Sequence, residues 1–237
     1  MGRTLLGFVV ALLQTPSTRR TPLILHAAAL SQALPVLAAL RHGRRLPAAR
    51  AWTVAWCVAL MIGDGLQLWL RGANGTNNLW LRAAGAPIQN AIMLWTLSLW
   101  QRDAVSRLAF RIAIPLFLVT LLALIPTVGE TTTFDTVTGP FQALLLLASA
   151  LYTLVRNAAS DPEGVTRHDW FWVTLGVSLY FGLRVALPPF ASFLLGTHVE
   201  LVRLAYFVQA GADIAVFLLI ARGIWCHLPQ TRSGGFF

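Results

Sequence analysis

Apolar residues in this chain fall in long unbroken runs rather than in alternation, and charge, proline or glycine closes each run. A helix needs roughly 20 residues to cross a hydrocarbon layer about 30 Å thick. Seven runs approach that length: approximately Pro22–Leu40, Ala51–Leu70, Leu79–Gln101, Leu108–Val128, Val137–Val155, Trp170–Pro189 and Glu200–Gly223. Hydrocarbon offers no partner for backbone N–H and C=O groups, so each run must satisfy them internally as an α-helix. The two-residue alternation of a membrane β-barrel is missing. The pattern predicts an all-α fold, a polytopic transmembrane bundle of seven helices over residues 22–223. Its connections are too short to hold a separate soluble domain.

The two ends read differently. Within residues 1–21 the apolar run Leu5–Leu13 is too short to span. It fits an interfacial helix or a signal-like segment, although Thr15-Pro16-Ser17 offers no small-x-small cleavage site. Residues 224–237 are expected to form a short cytoplasmic tail.

Composition supports the membrane reading, with 57% hydrophobic residues, 11% charged residues and a mean hydropathy of +0.66. A soluble domain carries about 25% charged residues. The net charge of +9 would suggest nucleic acid in a soluble protein, but the cations lie mainly between the apolar runs. The lipid bilayer is therefore the expected partner, and no nucleic acid is expected. All 18 basic residues are arginine, consistent with a GC-rich genome, and a bacterial inner membrane is the expected location.

Arginine placement gives an orientation. With the N-terminus outside and the C-terminus cytoplasmic, the inner side receives Arg41, Arg44, Arg45, Arg50, Arg102, Arg107, Arg111, Arg156, Arg167, Arg222 and Arg232, eleven of the eighteen. On the opposite side, loops 129–136 and 190–199 carry none and Arg71 and Arg82 stand at helix edges, which fits the positive-inside rule, whereas Arg3, Arg19 and Arg20 would lie outside and are discordant with it. Trp52, Trp100, Trp170, Trp172 and Trp225 mark one interface, and Trp69 and Trp80 the other. Cys57 and Cys226 near inner ends are expected to be packing residues rather than a disulfide.

Ionisable and amide side chains inside a span are costly, which makes them the first candidates for a site. Asp64 and Gln67 share a face of the second run, and Gln89 with neighbouring Asn90 forms part of a polar stripe on the third. Tyr180 and Arg184 are one turn apart on the sixth. Arg203, Tyr206, Gln209 and Asp213 fall within one arc of the last. At 1.5 Å rise per residue, Asp64, Gln89 and Arg184 reach similar depths in the outer half of the membrane. Together these ten residues predict an outward-opening polar pocket. The competing expectation is an interhelical Asp64–Arg184 pair that merely fixes packing.

No GxSxG, HExxH, Gly-rich phosphate loop or CxxC motif is present, and the five histidines are dispersed. Neither a metal nor a cofactor is expected. The absence of lysine excludes a retinal Schiff base. Asn74-Gly75-Thr76 matches a glycosylation sequon and equally an Asn-Gly turn. Gly63-Asp64, with Leu66 and Leu68, and the deep Asp213 are similar to the acidic pairs of lysoplasmalogenase-type membrane hydrolases. The similarity covers a few residues, lacks the histidine-containing segment such hydrolases carry downstream, and transfers no site residue.

These features predict a ligand-binding or sensory membrane unit for a small or lipid-derived molecule, with a protein partner for its output. A proton-coupled solute transporter, a membrane-embedded lipid hydrolase and a structural assembly subunit are the alternatives.

Overall fold

A computed structural model describes residues 23–41, 46–74, 79–128, 138–160, 164–194 and 199–226. The N-terminal segment, the sequon loop and the tail beyond Cys226 lie outside the described residues. The described chain is helical throughout, without strands: α1 Leu23–Ser31, α2 Ala33–Leu40, α3 Ala48–Asn74, α4 Leu79–Leu99, α5 Ala104–Val128, α6 Thr138–Ser160, α7 Asp169–Leu194 and α8 Val199–Trp225. A single 3-10 turn, Val165–Arg167, precedes α7.

Among the described residues, four stretches are long and apolar enough to cross a membrane: Ala104–Leu124, Thr138–Ser160, Asp169–Leu187 and Leu204–Trp225. They share α5 to α8, and the sequence predicts a run over each. The remaining helices differ for a physical reason. Helix α3 carries Arg50, Asp64 and Gln67, and α4 carries Pro87, Gln89 and Asn90. Polar groups that serve the interior lower the apolar content of both.

The first predicted run is broken into α1 and α2 at Gln32. Pro35 has no N–H to offer the carbonyl one turn before it, so the ladder is interrupted there. Ser31 Oγ, beside this junction, donates to Ala28 O at 2.6 Å. Gln32 at the junction keeps helical backbone angles, φ −59° and ψ −25°, and its side chain reaches Asp64 on α3.

Helix α5 begins four residues before the predicted start because Asp103 caps it. Its Oδ2 accepts from Ser106 N–H at 2.7 Å, which satisfies one of the orphan donors of the first turn. Arg156 of α6 closes on Asp103 Oδ1 at 2.7 Å and also donates to Ser106 Oγ at 2.9 Å and to the Tyr152 hydroxyl. The Ser106 N–H, and then its side chain, hold the Asp103 carboxyl below its ordinary value. A depressed carboxylate stabilises the fold above its unfolded pKa of about 3.9, and that contribution is lost as pH falls through the lower folded value. Amide exchange at Ser106, corrected for intrinsic rate, is expected to stay slow from neutral pH to about pH 4 and to accelerate below it. Asp103→Ala should give fast exchange at neutral pH; slow exchange in that variant would refute the cap.

The core draws buried residues from α2 to α8, and its aromatic centre is where α3, α7 and α8 meet. Trp56 is fully buried, edge-on to Tyr180 at 5.4 Å and flanked by Phe181 at 6.2 Å and Phe217 at 6.5 Å. Helices α7 and α8 run antiparallel at close range because Gly176 and Gly223 face the partner helix, where a Cβ would come within 2.9 Å of Ile220 and 2.7 Å of Val173. Of the tryptophans read as belt residues, Trp52, Trp69 and Trp225 are exposed, whereas Trp170 is buried and stacks on His168. Both cysteines are free and buried, as expected of packing residues.

Candidate functional site

On α8, Tyr206, Gln209, Ala210 and Asp213 recur at i, i+3, i+4 and i+7, so one helix face presents all four. That face closes a cavity of about 210 Å³ whose other walls are Ala28, Ala29 and Gln32 from the α1–α2 break, Asp64 from α3 and Arg184 from α7. Small alanines on α1 leave the space, and polar ends of five longer side chains and Tyr206 fill its rim.

Each polar group has a distinct position. Gln32 Nε2 donates to Asp64 Oδ2 at 2.6 Å, so the carboxylate is anchored from one side. The Arg184 guanidinium lies over the Tyr180 ring, 4.1 Å from its centroid, a favourable cation–π contact on an aromatic held by Trp56. Neither Asp213 nor Asp64, which line the same cavity, forms an ion pair with Arg184 among the described residues, and Arg184 Nε is buried without a hydrogen-bond partner. A guanidinium donor left unpaired at membrane depth costs several kcal/mol unless water or a ligand meets it. The arrangement is thus two carboxylates and one cation spaced around a void, rather than a closed ion pair.

The sequence-predicted residues divide accordingly. Asp64, Arg184, Tyr206, Gln209 and Asp213 line the cavity, and Tyr180 lies beneath Arg184. Gln67 is half-buried on α3 outside the lining. Gln89 and Asn90 point elsewhere: Gln89 Nε2 donates to Ala59 O on α3 at 3.2 Å, and Asn90 Nδ2 to Gln142 Oε1 on α6 at 2.6 Å. They tie α4 to its neighbours. The Arg203 side chain lies outside the described residues.

Sequence reasoning missed two features. Gln32 was hidden in an apolar run, although a Ser-Gln pair ahead of Pro35 signals a break that needs a polar partner. Arg50 and Asp169 form a buried ion pair at 2.8 Å, with Arg50 also donating to Ile224 O at 3.3 Å. Both stand at run ends, where charges ordinarily meet water.

No family model, no curated protein and no solved structure matches this chain. The functional reading therefore stands on the site itself.

Proposed function

We propose that the chain is a seven-span membrane protein, N-terminus outside and C-terminus cytoplasmic, that binds a small zwitterionic molecule carrying both an amine and a carboxylate. The observation that carries this reading is one cavity lined by Arg184, Asp64 and Asp213, in which neither carboxylate forms an ion pair with the guanidinium among the described residues. An acid group of the ligand meets Arg184, and its ammonium group meets the carboxylates, each as a charge-assisted hydrogen bond strengthened by the low dielectric. A volume of about 210 Å³ lies below the roughly 300–1,000 Å³ of pockets for drug-sized ligands, which favours a molecule of amino-acid size. Seven spans follow if α1 and α2 cross together and α3 and α4 turn their polar faces inward. The arginine-rich ends support the orientation.

Thermal unfolding of the detergent-solubilised protein against neutral amino acids, primary alkylamines and short carboxylic acids tests the proposal. A zwitterionic amino acid should raise Tm in a saturable way, more than an alkylamine or a carboxylic acid alone, and Asp64→Asn and Arg184→Gln should each abolish that rise. A flat response to the whole panel would sink it. Transport is the second reading, favoured by two acids deep in one cavity. Counterflow of the bound class in proteoliposomes, driven by a pH gradient and lost in Asp213→Asn, would establish it over simple binding.

A further inference from the structure

At the opposite end of the α2–α8 seam lies a second hollow of about 480 Å³, and its chemistry is different. Its floor and walls are apolar, with Leu34 and Leu37 from α2 and Leu218 from α8. Arg41, Arg222 and Trp225 close one end. Leu37 and Leu218 are both more than half exposed, at 59% and 53%, so the hollow opens outward along the side of the bundle.

The two arginines set this end apart. Arg50 and Arg156 are each neutralised by an aspartate. Arg41 and Arg222 form no ion pair among the described residues, and both are exposed. Each is instead held against an indole, Arg41 at 4.5 Å from the Trp225 ring and Arg222 at 5.9 Å from the Trp172 ring. Stacking limits where a guanidinium swings while leaving its N–H fork free for an anion. Two cations at one end of an apolar furrow, with the Trp225 indole lining the same end, are the complement of one molecule: a phosphate at the interface with acyl chains below it.

We propose that the furrow between α2 and α8 holds a single anionic phospholipid, its phosphate between Arg41 and Arg222 and an acyl chain along Leu34, Leu37 and Leu218. The inference rests on the membrane part of the proposed function and not on the polar cavity. A second copy of the chain and a free phosphate are the occupants it excludes. A second copy would bring the same arginines to a symmetric contact, and a free phosphate would have no use for the leucine wall.

The test uses full-length protein reconstituted into nanodiscs of phosphatidylcholine and phosphatidylglycerol in equal amounts, released into the gas phase for native mass spectrometry. One phosphatidylglycerol should be retained per chain, in preference to phosphatidylcholine by about tenfold or more, given the attraction that each basic side chain adds. Arg41→Gln/Arg222→Gln should remove the preference, and Arg41→Lys/Arg222→Lys should restore part of it. Arg102→Gln/Arg167→Gln, exposed cations outside the furrow, should leave it intact. Leu218→Trp, which fills the furrow and keeps both arginines, should displace the lipid. Equal retention of the two lipids, loss of preference in the Arg102/Arg167 variant, retention in Leu218→Trp, or displacement by inorganic phosphate alone would each overturn the lipid site. So would a dimer that retains no lipid. Asp64→Asn should not change lipid retention, which separates this site from the cavity. A chain that fails to enter nanodiscs at all would remove the membrane reading together with it.

Discussion

Arg50→Ala is expected to lower the stability of the folded chain by about 3–5 kcal/mol, the range for breaking a buried ion pair by removing one partner. The variant leaves Asp169 as an uncompensated carboxylate whose side chain is only 8% exposed. It also strips Ile224 O, in the last turn of α8, of the donor that reaches it at 3.3 Å. Asp169 is the first residue of α7, where a negative charge interacts well with the helix dipole, and its Oδ1 accepts from Trp170 N–H at 2.8 Å. Arg50 thus joins the start of α3 to the start of α7 and the end of α8. Reversible denaturant titration in micelles reads the effect, and a loss under about 1 kcal/mol would show that the pair is solvated. Arg50→Met/Asp169→Leu should recover much of the loss, because an apolar pair of similar volume avoids the desolvation cost. Recovery of that kind would identify the pair as a packing device rather than a site.

The same ion pair shows where reading the sequence reaches its limit. Runs of apolar residues were legible because hydrocarbon accepts little else, and α5 to α8 each hold a stretch able to cross a membrane. The facing of side chains along one helix was legible too, since the stripe Tyr206, Gln209 and Asp213 depends only on helical period. Which neighbour a stripe meets was not. Gln89 and Asn90 are adjacent in sequence, yet one turns to α3 and the other to α6, and neither direction follows from spacing. The pairing of Arg50 with Asp169 does not follow from the sequence, because burial there requires three helix ends to converge, a property of the assembled bundle alone. Gln32 lay between these cases. Pro35 fixes the break in the ladder, but only the position of Asp64 explains why a glutamine stands at it.

Gly223→Leu is expected to separate α7 from α8 and to cost more than the roughly 1–3 kcal/mol typical of overpacking. Even a single Cβ at this position would stand 2.7 Å from Val173 Cγ2, 3.0 Å from Asp169 O and 3.2 Å from Trp172 Cβ. The valine has nowhere to yield, being fully buried, and the backbone carbonyl cannot rotate away without unwinding the first turn of α7. Gly223→Ala should therefore already show a measurable loss in the same titration. Gly65→Ala supplies the control, because its Cβ would meet nothing within 4 Å, and substitution there should be close to neutral. The clash is with the residue that Arg50 holds, so the two sites are physically one joint. Displacing Asp169 breaks the ion pair whether or not Arg50 is present, and Arg50→Ala combined with Gly223→Leu should cost less than the sum of the single losses. The coupling should fall in the 0.5–3 kcal/mol range of residues that share a contact. Strict additivity would mean that α8 can move off α7 while Arg50 and Asp169 stay paired, and that the close approach at Gly223 is not what positions them.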